Sequence, residues 1–293
     1  MPGVKLLHQD SASNSKAEYI MGHSLQVLAV LTQGLNTYFA VPLIGQIHEG
    51  IRLYCGKHRT LLDKMSGMLF GLNLTDGFYF VADKYYCSGR FMKQLVEQKI
   101  YIVTMMKRNA VAYSFPIKSS NKRRGRPAKY GAKVKLFSLF NMNLPYITVP
   151  MPGNSKLIIE YYVIYLYWRP LGQLAQFVLV RHPEKGLAIV MSTDLNAPPL
   201  SLISIYSLRF KIEVCFKQAV HQIGAFMYRF WLKMMPPKKR GTGDQYLQLA
   251  SQQFKDGVLR KLHAYHLFIQ LGFIAQGLLQ YLSMNYYQTV WSG

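Results

Sequence analysis

The stretch from Gly77 to Lys107, GFYFVADKYYCSGRFMKQLVEQKIYIVTMMK, decides the fold class. It opens with an apolar, aromatic run, GFYFVAD (77–83), that reads as a short buried strand ending in Asp83. A helix is predicted next, from about Gly89 to Gln98, and a second strand follows in YIVTMMK (101–107). Strand, helix, strand is an α/β signature. The acid at the strand end matters because open α/β sheets place their chemistry just outside the carboxyl ends of their strands. A helix N-cap or turn residue is the plainer account of Asp83, since a short carboxylate there accepts a free backbone N–H.

Upstream, residues 1–18 are polar and read as a loop, residues 24–48 read as two antiparallel strands, and 58–72 has helical periodicity with Leu61, Leu62, Met65 and Leu69 inward. Downstream, residues 136–191 alternate β-rich runs with turn signals (MPGNSK, RPLGQ, HPEKG) and predict antiparallel strands YITV, KLIIEYYVIYLYW, LAQFVLVRH and GLAIVMST. A long helix is expected from about Pro198–Ser201 to Met235, stopped by Pro236-Pro237, and the segment from about Asp244 to Tyr286 reads as helical. These readings divide the chain into 1–117, a basic loop and β-rich insertion at 118–191, and a helical part at 192–293.

The long helix carries the second feature of interest. In ISIYSLRFKIEVCFKQAVHQIGAF (203–226), Ile205, Leu208, Ile212, Cys215, Phe216, Ala219, Ile223 and Phe226 form an apolar stripe. Tyr206, Arg209, Glu213 and Lys217 form a separate stripe, with the carboxylate one turn from each cation, an arrangement that keeps it ionised. An ordinary solvated helix face is the competing account.

The 293 residues include 35 Lys and Arg against 13 Asp and Glu, a formal net charge of +22. Self-repulsion on that scale points to a polyanionic partner, nucleic acid first and an anionic membrane surface second. The charge is concentrated in two places. KSSNKRRGRPAKYGAKVK (118–135) holds Lys122, Arg123, Arg124, Arg126 and Lys129, and its core Arg124-Gly125-Arg126-Pro127 resembles an AT-hook, a minor-groove element. Generic phosphate contact or a solvated loop accounts for the same residues. Lys238, Lys239 and Arg240 form the second cluster.

Three widely spaced cysteines, Cys55, Cys87 and Cys215, suggest neither a disulfide framework nor a zinc site and fit a reducing cytoplasm. The N-terminus lacks an apolar signal core, so no secretory signal is expected. No Asp, Glu, Lys or Arg follows Lys261, but Gln270, Gln276 and Gln280 are costly in hydrocarbon, and a buried helix is expected rather than a membrane span. No phosphate-binding loop, nucleophile elbow or His-Glu-x-x-His motif is present, and the eight histidines show no ligand spacing; His8, His23 and His221 read as structural.

Asp83 and Glu213 supply hard oxygen ligands, which favour Mg²⁺ or Mn²⁺ over zinc. A divalent ion held by two such acids, with cations nearby, suits an in-line phosphodiester displacement.

Taken together, MPGVKLLHQDSASNSKAEYIMGH (1–23), FYFVADKYYCSG (78–89), KRRGRPAKYG (122–131) and IYSLRFKIEVCFKQ (205–218) resemble the DDE transposases of bacterial insertion sequences. The resemblance covers nearly the whole chain and includes the spacing Tyr206, two residues, Arg209, three residues, Glu213. It implies a ribonuclease H-like mixed sheet with flanking helices and a β-rich insertion, Asp83 and Glu213 as second and third metal-binding acids, and Tyr206 and Arg209 as supporting residues. It also implies Mg²⁺ or Mn²⁺ as cofactor, transposon-end and target DNA as partners, and room for a homo-oligomer. The chain departs from the family pattern twice. The family's Lys seven residues after the Glu is Val220 here, with Lys217 the nearest substitute. The first acid, in relatives, lies upstream of the segment resembling MPGVKLLHQ; Asp10 follows that point and does not take its place, and Asp194, after the strand GLAIVMST, is the one other strand-end acid to consider. The expectation is therefore a truncated transposase without its first central strand, binding DNA and cleaving it weakly or not at all. A non-catalytic DNA-binding remnant or regulator, a membrane-associated basic protein and a nuclease of RNA–DNA hybrids are the alternatives.

Overall fold

The computed structural model of the chain describes residues 1–8, 17–34, 37–48, 50–55, 59–74, 77–116, 128–229, 232–235, 239 and 241–286. In chain order the first elements are β1 (Lys5–His8), β2 (Tyr19–Gly22), β3 (Ser24–Gln33), β4 (Tyr38–His48), β5 (Ile51–Arg52) and α1 (Leu61–Gly71). Then come β6 (Tyr79–Ala82), α2 (Gly89–Glu97), β7 (Tyr101–Met105), β8 (Val111–Tyr113), β9 (Lys133–Lys135), β10 (Ile147–Met151), β11 (Asn154–Trp168), β12 (Gln173–His182) and β13 (Gly186–Ser192). The last are α3 (Pro199–Leu208), α4 (Lys211–Gln218), β14 (Gln245–Tyr246) and α5 (Gln252–Asn285).

Two compact units result, one of Met1–Gly71 with Phe210–Gly293 and one of Leu72–Arg209. This cuts the chain elsewhere than the three-part division at 117/118 and 191/192. The reason is that the strands of the expected insertion do not form a layer of their own. They continue the sheet begun by β6 and β7, in the order β6-β7-β13-β12-β11-β8-β9, with β10 also paired to β11. Only β6 and β7 are parallel; the other pairs are antiparallel, so the sheet is mixed and the α/β class holds.

β12 is the spine of this unit. Ala175 to Val180 are buried without a break, which requires cover on both faces rather than the alternation of a half-exposed strand. Val103, Ile159, Val178, Val180 and Val190 join Ala197, Leu202 and Ile203, so α3 sits on the β7 and β13 side of the core. α2 buries Phe91, Met92 and Leu95, at helical spacing, and packs along β7. Its first residue is Gly89 because the backbone of Pro170 lies where a Cβ would stand.

The other unit is organised by the β3–β4 hairpin and α5. The hairpin falls where the sequence places it, and Pro42 explains its irregularity: Leu28 faces Ile44 while Ala29 faces Pro42, leaving Leu43 as the extra residue of a bulge. The bulge carbonyl is not lost, because Gln270 Nε2 of α5 donates to Leu43 O at 2.7 Å. Gln280 Nε2 donates likewise to Ala40 O at 3.3 Å and Gln276 Nε2 to Cys215 O at 3.1 Å. The glutamines that make α5 a poor hydrocarbon helix thus fasten it to β4 and α4. Gly45 lets α5 come close, since a Cβ there would overlap the ring of Phe273. Tyr265, Ile269 and Phe273 of α5 complete a core with Val27, Ile47, Ala219 and Ala225. By length and composition α5 is the one helix among the described residues able to cross a membrane, and only 22% of its most apolar window is buried. The expected buried helix is therefore buried along one face.

Two further corrections concern short pairings that sequence reading does not reach. Part of the N-terminal loop is a strand, β1, antiparallel to β2, and residues ahead of α5 form β14, parallel to β5. Asp244 anchors that corner, pairing with Arg52 at 2.5 Å and Lys5 at 3.3 Å. Burial opposes its charge, but Arg52 and Lys5 outweigh burial and hold the carboxyl below its usual range.

The single long helix expected from Pro198 to Met235 is also corrected. α3 ends at Leu208, α4 begins at Lys211, a π-helical turn runs over Ala219–Ile223, and Gly224 stops the helix in the left-handed region at φ 69°. Arg209 and Phe210 keep right-handed helical dihedrals, yet Arg209 N bonds back three residues to Tyr206 O and Glu213 N three residues to Phe210 O. The four-residue ladder lapses there without a proline or glycine to announce it.

Three histidines in the hairpin unit are held neutral. Burial, then Lys64 and His266, push His48 down to about 4. His266 accepts from Ile47 N at 3.1 Å, and His23 lies between Tyr228 Oη and Pro2 O, each at 2.7 Å; burial lowers both. Unfolding frees these rings to bind protons near pH 6.5, so stability falls as pH drops from about 6.5 toward 4. Urea midpoints measured from pH 7.5 to 4.5 should fall over that window, and His48→Gln should remove about 2 kcal/mol of the fall.

Candidate functional site

Asp83 is exposed and follows β6 directly. Its Oδ1 accepts from Tyr85 N at 2.8 Å, capping the 3-10 turn Lys84–Tyr86, and its backbone carbonyl accepts from the buried Thr104 hydroxyl of β7 at 3.1 Å. Phe80 of β6 packs edge-on against Phe91 of α2, fixing the strand on its helix. Both accounts of Asp83 therefore apply at once: it is a cap, and it stands at the carboxyl end of a parallel strand. A capping carboxylate keeps lone pairs for another ligand.

Because β6 and β7 are parallel, with Ala82 opposite Thr104, the chain leaving β7 emerges on the edge that carries Asp83. That chain lines a cavity of about 560 Å³. Its wall includes Cys87, four residues beyond Asp83, together with Lys107, Asn109, Tyr113, Trp168 and Arg169. Two cations, an amide and two aromatic rings are thus among the residues that line it, beside the apolar Met106, Ala110, Val111 and Pro170. Sequence reasoning missed these residues; Trp168 and Arg169 lie 61 or more positions from Lys107, and only the β8–β11 pairing, Tyr113 opposite Tyr167, brings them together. Burial pushes the Cys87 thiol up to about 11, away from the thiolate form that a nucleophile needs.

The four-residue stripe falls on two helices. Tyr206 of α3 packs half-buried against the Val103 and Leu202 core, and Arg209 is the residue just after α3. Glu213 lies exposed in the first turn of α4, and Lys217, also exposed, lies one turn later. Glu preceding Lys by four residues, with the acid near the helix start, is favourable on both counts. Cys215 and Ala219 turn inward on the same helix. Asp83 and Tyr206 belong to one compact unit and Glu213 and Lys217 to the other.

Asp194 lies at the other end of the parallel pair. β13 runs antiparallel to β7, with Ser192 opposite Val103, so its end lies at the start of β7 and β6. The Asp194 carboxylate accepts from Tyr79 Oη at 2.5 Å and from Asn196 N at 3.0 Å. Burial and this carboxylate push Tyr79 up to about 12. Tyr79 opens β6 and Asp83 follows its close, a separation of about 13 Å along the strand.

Of the basic residues, Lys122, Arg123, Arg124, Arg126, Lys238 and Arg240 lie outside the described residues. Lys129 and Lys239 are exposed. The described flanks of the first cluster are tied together: β8 pairs with β9, Gly131 N donates to Ser114 O, and Ser114 N donates to Ala132 O.

Among the described residues no group of three His, Cys, Asp or Glu side chains comes together as a metal site. The donors at Asp83 and Glu213 are exposed carboxylates, the chemistry a hard divalent ion takes. A family model described as the transposase DDE domain matches residues 57–231, more than half of the chain and a span that includes Asp83, Tyr206, Arg209, Glu213 and Lys217. No curated protein matches the chain.

The cap and the ligand capacity of Asp83 are separable by substitution. Asp83→Ala should cost about 1 kcal/mol through loss of the bond to Tyr85 N, whereas Asp83→Asn, which keeps an acceptor oxygen, should cost a few tenths. Denaturant midpoints for the two variants check this.

Proposed function

The chain belongs to the DDE transposase family, and on that premise we propose that it binds transposon-end DNA and carries part of a metal-dependent strand-cleavage and transfer site. Asp83 carries this reading: an exposed carboxylate at the carboxyl end of a strand, within the matched region, on the edge where the chain after β7 lines a cationic cavity. Asp83 and Glu213 are the residues that would hold Mg²⁺ or Mn²⁺. When bound, such an ion polarises phosphodiester oxygens and lowers the pKa of a water.

The remaining residues act on the DNA. Lys107 and Arg169 neutralise phosphate at the cavity, Lys217 meets backbone phosphate, and Tyr206 and Arg209 set the end of α3. Lys122, Arg123, Arg124, Arg126, Lys129, Lys238, Lys239 and Arg240 add contacts along the duplex. The +22 charge supports this surface role. The mixed sheet is read as ribonuclease H-like, the protein as cytoplasmic rather than membrane-inserted.

Asp194 is bonded to Tyr79 at the other end of β6 and does not stand beside Asp83, which supports a reading of weak or absent cleavage. The same observation favours a second reading, a non-catalytic DNA-binding regulator.

Two measurements separate these. Binding of the purified chain to terminal-repeat duplex, measured against salt, should be steep and independent of Mg²⁺. Replacing Lys122, Arg123, Arg124 and Arg126 together by Ser should lower the slope of log K on log salt by roughly 3 to 4 if each meets a phosphate. With Mg²⁺ the wild type should leave the duplex uncut or nearly so. Robust cleavage abolished by Asp83→Ala and by Glu213→Ala establishes the site and removes the claim of weak activity; salt-insensitive binding removes the DNA surface.

A further inference from the structure

The buried side chains of β7 are apolar with one exception. Ile102 and Val103 are followed by Thr104, which is 1% exposed and sits inside the strand, where a valine has the same shape and brings no polar atom. A hydroxyl taken out of water there is costly unless it is bonded. Its partner is the main-chain carbonyl of Asp83, to which Thr104 Oγ1 donates at 3.1 Å. Ala82 stands opposite Thr104 in the parallel register, and its single methyl group leaves the hydroxyl a path to the next carbonyl along β6.

We propose that Thr104 is a positioning residue for the Asp83 carboxylate. Two further bonds carry the effect from the carbonyl to the side chain. The Asp83 carbonyl also accepts from Tyr86 N at 3.2 Å, and Asp83 Oδ1 accepts from Tyr85 N at 2.8 Å. Thr104 thus holds the peptide that leaves Asp83, and the carboxylate is tied to the turn which that peptide begins. The far end of the turn has its own anchors: the ring of Tyr86 lies against Phe80 and Phe91, and Cys87 Sγ lies 3.8 Å from Met106 Sδ. With Oδ1 engaged by Tyr85, Oδ2 is the oxygen left to take a ligand, and its place is set by the same chain of bonds.

Strand propensity is the competing account of Thr104, and it makes a different demand. A threonine present only as a β-branched strand former is replaced by valine without consequence. One present for its hydroxyl is not. Removing the hydroxyl orphans no group, because the Asp83 carbonyl keeps its bond from Tyr86 N, so Thr104→Val leaves the sheet stable and loosens only the start of the turn. The consequence for metal rests on the reading of Asp83 as a divalent-ion donor; the positioning itself does not.

Amide hydrogen exchange of the metal-free full chain, followed residue by residue by NMR, reads the carboxylate through the Tyr85 N–H. Thr104→Val should speed exchange at Tyr85 by about fivefold or more while the β12 amides and the urea midpoint stay those of the wild type, and Thr104→Ser, which keeps a hydroxyl, should match the wild type. Mn²⁺ titration of the same proteins should show affinity lowered by about tenfold in Thr104→Val and restored to within about twofold of wild type in Thr104→Ser. Should Thr104→Val fail to fold, Thr104→Ala gives the same comparison. Exchange at Tyr85 unchanged by loss of the hydroxyl overturns the proposal, as does a serine variant no better than the valine one. Mn²⁺ affinity that falls with Asp83→Asn but not with Thr104→Val also overturns it. If exchange shifts as stated and Mn²⁺ affinity follows neither substitution, the positioning stands and the reading of Asp83 as a metal donor fails.

Discussion

The parallel pairing of β6 with β7 is the constraint on which the site depends. It is the one parallel contact in an otherwise antiparallel eight-stranded sheet. Parallel strands need a crossover, which α2 supplies, and they end on the same edge. That is why Asp83 and the chain that lines the Lys107 cavity emerge together. Thr104 locks the edge by donating to the carbonyl of Asp83 itself. The antiparallel run of β13 on β7 sends Asp194 to the opposite edge, where Tyr79 holds it.

In the hairpin unit the comparable constraint is the set of glutamine-to-carbonyl bonds along α5. A helix with no formal charge after Lys261 has little to orient it except shape. Gln270, Gln276 and Gln280 give it one fixed face by satisfying carbonyls of β4 and α4, one of them freed by the bulge at Leu43. Among the described residues Leu267, Leu271, Ile274, Leu278 and Tyr281, on its other side, are exposed.

Local chemistry was legible in the sequence and distant pairing was not. The hairpin at 24–48, α1, α2 and the strands within 136–191 fall where period, turn residues and breakers put them. Asp83 was legible as a strand-end acid and as a cap because both readings rest on its immediate neighbours. The merging of 136–191 with β6 and β7 depends on β13 choosing β7, a contact between residues 85 or more positions apart that no local pattern encodes. The same holds for Arg169, which reaches the Lys107 cavity only through a sheet. The lapse between α3 and α4 was hidden for another reason: Arg209 and Phe210 are ordinary helix residues with helical dihedrals, and only the hydrogen-bond ladder changes.

The family match brings Asp83 and Glu213 within one domain description, while the two residues reside in different compact units. The proposed function rests on both carboxylates being divalent-ion donors. Titration of the purified chain with Mn²⁺, following the loss of the free-ion electron paramagnetic resonance signal, tests it most directly. Asp83→Asn and Glu213→Gln should each weaken Mn²⁺ binding by the chain by about tenfold or more. Equal Mn²⁺ affinity in wild type and both single variants would contradict it.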